Sequence, residues 1–553
     1  MKIGIFLAYA PGIKMSNQGL GRQLVQFTAG FHNHSGEAIA ILCPSWLRDD
    51  VHKLLSQGGV SNHAYRIICP PGGIPISFRI QRLLSAHLER LRSRRTISRA
   101  YLKLKELLYT SIYAQVRKLA VYLLSTRSIV GFSLTFLTSL ILAIAIAPVA
   151  LPLVVVGASL YGLARWIRRM MRRVSARTSS IPIVSQLNAF LLDARKANQI
   201  SFVQRAYNGV YRRETSWMVN FANRDGTIDF WFSPTVFWPE FNAINKPSAL
   251  CFPDMVLSEF PVSFAVDHPH TLAVFGRCEK TIEGGRHFIT YSDVTAEEGL
   301  ERRFGVNKGQ ISVIPHAAMD LSHHISIEGT LDPGQARRRF AVNLLEGHRN
   351  VHWQTHRYLS NFSFQDTKYL FYPSQIRPNK NIVNLIRGYE ISLRRKHQYA
   401  KLILTGDVST NTEISNFLRA RRLQYDIIFF NDVPEQILAA LYHLAELVIN
   451  PTLYEGGFPF TFTEGLSVGT PSIMSDIPQV RQAIPNELAE EMLFDPYSPE
   501  TIANAIVHGL THRARLVDLQ MPLYRKMRKR SWSDVASDHV ATFSKIRDGI
   551  VSA

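Results

Sequence analysis

Residues Leu447–Arg481 read LVINPTLYEGGFPFTFTEGLSVGTPSIMSDIPQVR. The apolar run Leu447–Ile449 predicts a buried parallel strand, because strands covered on both faces read as continuous rather than alternating apolar runs. A loop with Glu455, Gly456 and Gly457 follows, and then a short helical segment carrying Glu464. Gly469, Thr470 and Pro471 form a turn before a second short apolar run, which ends at Asp476–Pro478. Strand, glycine loop, helix, turn and strand make a βαβ unit of an open α/β sheet. Ligands bind outside the carboxyl ends of such strands, which places Glu455, Gly456 and Gly457 at a ligand.

The residue types suit a sugar nucleotide. Two glycines after a strand let backbone N–H groups come close to a phosphate, and a helix N-terminus adds positive potential. A carboxylate that faces a ligand grips hydroxyl groups. A Glu-Gly-Gly alone recurs by chance as a solvated loop, so the weight lies on the length of the surrounding pattern.

This stretch resembles the retaining glycosyltransferases of family four, the group-one type with the GT-B fold. That family carries two glutamates with seven residues between them. The resemblance implies that Glu455 faces the donor sugar and Glu464 holds the nucleotide ribose, although eight residues separate them here.

Upstream the pattern continues. Tyr369–Tyr372 predicts a strand that runs into PSQIRPNKN, and a helix starts near Asn381. Cations at a strand-to-helix junction are placed to neutralise a departing diphosphate. By resemblance Lys380 matches the family lysine. Gln375 stands where the family has arginine, with Arg377 two residues on as its replacement. Lys401–Asp407 and Asp426–Phe430 predict further strands. The helix from Pro434–Glu435 to Ala445 leads into the opening stretch, and Ser531–Ile546 predicts a last helix.

The N-terminal half starts with a strand at Ile3–Leu7 and a loop QGLGRQLVQF, in which Gly19, Gly21 and Arg22 open a helix. Glycine there admits a close diphosphate and Arg22 adds charge. By resemblance this is the first glycine-rich loop of the same family. Strands follow at Ala38–Leu42, Arg66–Cys69, Ile228–Phe232 and Ser248–Phe252. The last ends in Pro253–Asp254, where the related enzymes have His-Asp. The resemblance therefore carries only Asp254, as an acceptor-side polar group, and an Asp capping the next turn is an equal reading. His287–Ser292, Glu297–Gly305 and Ile311–His316 predict a closing strand, helix and strand.

The 553 residues have room for two or more domains, and an apolar fraction of 46% is that of a globular protein. Cys43, Cys69, Cys251 and Cys278 lack metal-ligand spacing and read as buried free thiols. The net charge of +20 is concentrated between Phe78 and Ser180, where eighteen Lys and Arg meet two acids, Glu89 and Glu106. Residues Ser128–Ala164 carry no charge over 37 positions, with Pro148 and Pro152 near the middle and arginines on both flanks. A membrane helix needs about 20 apolar residues, so this run predicts an apolar hairpin with both ends on the cytoplasmic side. A buried core hairpin is the alternative. Basic amphipathic helices before it favour an anionic membrane surface. A nucleic-acid partner is not expected, because the cluster borders an apolar hairpin rather than interleaved surface aromatics.

The expectation is an α/β chain of two Rossmann-like domains facing a cleft, with a membrane-associating helical insert. The first domain covers 1–77 and 181–330, around a basic insert at 78–180 with its hairpin at 128–164. A linker spans 331–366, a nucleotide-sugar domain 367–530, and a helix crossing back to the first domain 531–553. By resemblance the chain transfers a sugar, with retention and without a metal or other cofactor, from a nucleotide-sugar to a saccharide or lipid-linked saccharide. The setting is envelope polysaccharide or glycolipid synthesis at the cytoplasmic face of a membrane, with lipid contacted through 78–180. A non-catalytic sugar-nucleotide-binding scaffold and a sugar-nucleotide epimerase of the same fold are the alternatives.

Overall fold

A computed structural model of the chain describes residues 1–13, 15, 19–75, 137, 202–267, 271–352, 358, 362–408, 411–431 and 433–549. The chain divides into two units, Met1–Pro71 with Arg213–Ala553, and Gly72–Arg212. Apart from Leu137, the expected hairpin at 128–164 lies outside the described residues. Among the described residues no helix is long and apolar enough to cross a membrane.

The larger unit contains two parallel sheets. In the first, the described strands are β1 (Ile3–Phe6), β2 (Ile39–Leu42), β3 (Tyr65–Ile68), β4 (Phe230–Ser233), β5 (Ser248–Cys251), β6 (Phe288–Thr290) and β7 (Ile311–Val313), in the order β3-β2-β1-β4-β5-β6-β7. In the second they are β8 (Tyr369–Tyr372), β9 (Lys401–Thr405), β10 (Ile427–Phe430), β11 (Leu447–Asn450), β12 (Ser472–Ser475) and β13 (Leu493–Phe494), in the order β10-β9-β8-β11-β12-β13. Central strands β1, β4, β8 and β11 are buried at every position, as their largely apolar sequences require.

Helices cover the sheets: α1 (Gly19–Ser35), α2 (Arg48–Gln57), α3 (Phe202–Arg224), α4 (Pro333–His352), α5 (Ile382–Arg394), α6 (Glu435–Leu444), α7 (Phe460–Ser467) and α8 (Trp532–Arg547), among others. The stretch read from the sequence as a linker, 331–366, contains helix α4. Its weak periodicity has a physical reason, since the face it buries is narrow, with Ala341 and Leu345 fully covered. Helix α8 returns to the first sheet, where Phe543 stacks on Phe230 with ring centroids 4.2 Å apart and His539 meets Phe27 at 4.9 Å. A capping box at Ser531 and Asp534 starts it.

The strand orders fix where a site can form. Each chain path reverses direction beside its first strand, between β1 and β4 in one sheet and between β8 and β11 in the other. A crevice opens at such a reversal because the connections on its two sides leave in opposite directions. In the second sheet the segments that leave the ends of β8 and β11 are Pro373–Asn381 and Pro451–Pro459.

The four cysteines are free thiols. Cys43 and Cys69 follow the adjacent strands β2 and β3, which brings their sulfurs to 3.6 Å. Spacing in sequence gives no sign of that proximity.

Candidate active site

Lys380 and Glu455 meet where the sequence placed them. Lys380 ends a short turn, Pro378–Lys380, and its ammonium forms an ion pair with Glu455, in the loop that follows β11. Asn381 makes this geometry possible. It takes a left-handed backbone, φ 55°, and its side-chain amide donates to the carbonyls of Pro451, at 3.1 Å, and Pro496, at 2.7 Å. Asparagine accepts that dihedral more readily than most residues. Asn379 adds a bond from its amide to the Tyr454 carbonyl at 3.2 Å. The β8 and β11 loops are therefore stitched together directly beneath the ion pair.

The first domain closes against the same loop. A β-carbon on Gly456 would lie 1.7 Å from the Pro253 carbonyl oxygen, so glycine alone fits there. The Gly456 carbonyl accepts hydrogen bonds from Ser292, at 2.9 Å, and Thr295, at 2.8 Å. Gly457 packs against Tyr291. Pro253, which replaces the family's histidine, thus serves as a backbone wall for the glycine loop.

Asp254 is half-buried and accepts the Val256 N–H at 3.2 Å, which is the turn-capping role. Burial raises its carboxyl above the ordinary range, against the pull of that amide and of Arg377, and Glu455 adds to the rise. It therefore lies in the field of the same charged group. Arg377 is exposed at the edge of this group, and Gln375 is exposed as well.

Glu464 lies on α7 and is 2% exposed. Tyr442, from α6, donates to its Oε2 at 2.5 Å. Arg22 Nη1 lies 2.7 Å from its Oε1, and Arg22 Nε donates to Glu435 Oε1 at 3.1 Å. Burial works against the charge of Arg22, yet the carboxylates of Glu464 and Glu435 outweigh it and hold the guanidinium's pKa above its ordinary value. His324 Nε2 stands 3.6 Å from the other oxygen of Glu435. The nearby His324 ring, with Arg22 beside it, lowers Glu435 to about 2.

Gly21 lies in α1 against the Met15 carbonyl, 2.2 Å from where its β-carbon would be, whereas Gly19 is exposed with open space around it. Residues 16–18, which precede this pair, lie outside the described residues.

Several residues of this region carry no local signal in the sequence. Gln23 bonds to His316 at 3.1 Å and accepts from Tyr291 at 3.3 Å, and Tyr291 in turn accepts from the Cys251 thiol at 2.9 Å. Burial lowers His316 to about 3, so this chain is held by a neutral imidazole. Tyr442 is equally silent as a mid-helix tyrosine. Only Asn381, beside a lysine and before an apolar helix, had a readable clue in its preference for left-handed turns.

Known proteins fit this arrangement. Residues 360–530 match the family described as "Glycosyl transferases group 1". The lipopolysaccharide 1,2-N-acetylglucosaminetransferase of Salmonella typhimurium is 25% identical over 179 residues, 31% of this chain and 47% of that protein. The serotype-specific mannosyltransferase WbdA of Escherichia coli is 25% identical over 177 residues, 31% of this chain and 21% of that protein. The chain thus spans less than half the length of these relatives. The N-terminal domain of a Candida albicans trehalose-6-phosphate phosphatase superposes with a TM-score of 0.53 at 10% identity, covering 98% of this chain and 96% of that one, a likeness of fold. The two parallel-sheet domains are Rossmann-like and of the GT-B type, and residues 360–530 carry the likeness to the group 1 glycosyl transferases.

Proposed function

We propose that the chain is a glycosyltransferase that moves a sugar from a nucleotide-sugar to a saccharide or lipid-linked saccharide with retention of configuration. The observation that carries this reading is the Lys380–Glu455 ion pair at the strand-order reversal of the second sheet, walled by Pro253–Asp254 of the first. A lysine there offsets the charge that grows on a departing diphosphate, so basic groups supply what a metal would otherwise supply. Glu455 takes the donor sugar's hydroxyls, and Lys380 orients its carboxylate. Arg377 extends the cationic edge, Glu464 receives the ribose, and Asp254 lies on the acceptor side. Gly456 and Gly457 admit the donor closely, with Gly19 and Gly21 opposite.

The charge-free run Ser128–Ala164, with arginines on both flanks, supports docking at the cytoplasmic face of a membrane. The activities named for the Salmonella and Escherichia coli relatives support a role in envelope polysaccharide assembly. Membranes that contain the protein, incubated with radiolabelled UDP- and GDP-sugars, test the reading. Label in extracted lipid or saccharide is expected. A protein that neither transfers nor binds any nucleotide-sugar contradicts it.

A further inference from the structure

The geometry points to Arg22 as a donor-binding residue that exchanges partners: paired with Glu464 here, it passes to the donor's diphosphate when a ribose hydroxyl takes that carboxylate. The inference rests on the nucleotide-sugar reading above. Three features of the pair argue for exchange rather than a fixed strut.

The first is alignment. Glu464 Oε1 is buried and lies 2.7 Å from Arg22 Nη1, yet it receives no well-directed hydrogen bond. A buried carboxylate oxygen without an aligned donor is costly, and a hydroxyl brought in along its lone pair would relieve that cost. The second is anchorage. Tyr442 holds Oε2 at 2.5 Å, so the carboxylate stays in place while its other oxygen changes partner. Glu435 likewise holds Arg22 Nε at 3.1 Å, a second anchor about which the planar guanidinium tilts as a whole when Nη1 leaves Glu464. The third is position. Glu464 lies on α7, nine residues after Glu455 along the loop that leaves β11, and its anchor Tyr442 packs on Phe371 of β8, the strand whose loop carries Lys380, with ring centroids 4.9 Å apart. The fork of a guanidinium matches the oxygens of a diphosphate held in that crevice.

Arg22 also comes from the first turn of α1, on the opposite domain from Lys380. Transfer of its Nη end would give the diphosphate one cation from each domain. Donor binding would then hold the two domains together through the ligand itself.

Calorimetry on the full chain tests this. UDP, GDP and ADP are titrated first. Whichever binds is then compared with its own nucleoside, in the parent and in Arg22→Ala. The exchange predicts that Arg22→Ala weakens the diphosphate about tenfold or more, the scale of one charge-assisted hydrogen bond, while the nucleoside binds as well as before or better. Arg22→Lys should recover part of the loss. If Arg22→Ala weakens diphosphate and nucleoside by the same factor, or changes neither, Arg22 is only a strut and the exchange is overturned. If none of the three diphosphates binds the parent, the nucleotide-sugar reading itself fails. Should Arg22→Ala not fold, Arg22→Gln, which keeps a donor towards Glu464, carries the same comparison.

Discussion

Gly456 lies so close to Pro253 that the two backbones touch: a β-carbon on the glycine would sit 1.7 Å from the proline carbonyl oxygen. The contact joins the loop after β11 in one Rossmann-like domain to the strand end of the other. Backbone cannot yield as a flexible side chain can. Gly456→Ala should therefore push the loop away, break its bonds to Ser292 and Thr295, and lower transfer at least tenfold at a stability cost of about 1–3 kcal/mol. Gly19→Ala meets open space and should change stability by less than about 1 kcal/mol. Steady-state rates and urea midpoints of the two variants check the contrast.

Asn381 sets the angle at which Lys380 meets Glu455. Asn381→Ala removes the donors of two carbonyls and forces a β-carbon without a local partner into φ 55°. A loss of about 2–4 kcal/mol is expected, from two buried hydrogen bonds and the left-handed penalty. Asn381→Gly restores the dihedral but not the bonds, and should recover about 1 kcal/mol. Chemical denaturation of both variants measures the difference.

The strand ends were legible in the sequence because buried parallel strands announce themselves as apolar runs followed by glycine, proline or acid. Once the chain order is known, the reversal between β8 and β11 brings Lys380 and Glu455 together with no further information. What was not legible lies at long separation. Arg22 meets Glu435 across 413 positions, and no periodicity encodes such a pair. The same holds for the Cys43–Cys69 approach. Helix α4 was missed for another reason. Its arginines hide a stripe only a few residues wide, which the second sheet rather than local preference covers.

Tyr442→Phe removes the phenol that holds Glu464 Oε2. A buried carboxylate oxygen then lacks its donor, at a cost of about 1–3 kcal/mol. Glu464 would also lose its fixed orientation. Nucleotide affinity, followed by calorimetry, should fall severalfold, beyond what the drop in stability explains.

His539, on α8, is 4% exposed, and burial lowers its imidazole to about 4, with Arg530 adding to the effect and Asp538 opposing it. The unfolded chain takes up a proton as the pH falls below about 6.5, whereas the folded chain does not until far lower. Stability from this group is thus present at neutral pH and is lost as the pH falls through that window. Between pH 7 and pH 5 the loss is about 2 kcal/mol. His539→Leu should lose less over the same interval. Urea midpoints at both values, for the parent and the variant, give the comparison.

Lys380 carries the central claim. The most direct measurement is transfer of radiolabelled sugar by membranes containing the parent, Lys380→Ala or Lys380→Arg, using the UDP- or GDP-sugar that the parent accepts. Loss of one charge-assisted bond to a leaving diphosphate is worth at least ~2.7 kcal/mol, so Lys380→Ala should transfer about a hundredfold more slowly or worse. Lys380→Arg should retain measurable activity. Parent-level transfer by Lys380→Ala would contradict the account, because the ion pair with Glu455 would then be a structural contact and the chemistry would lie elsewhere.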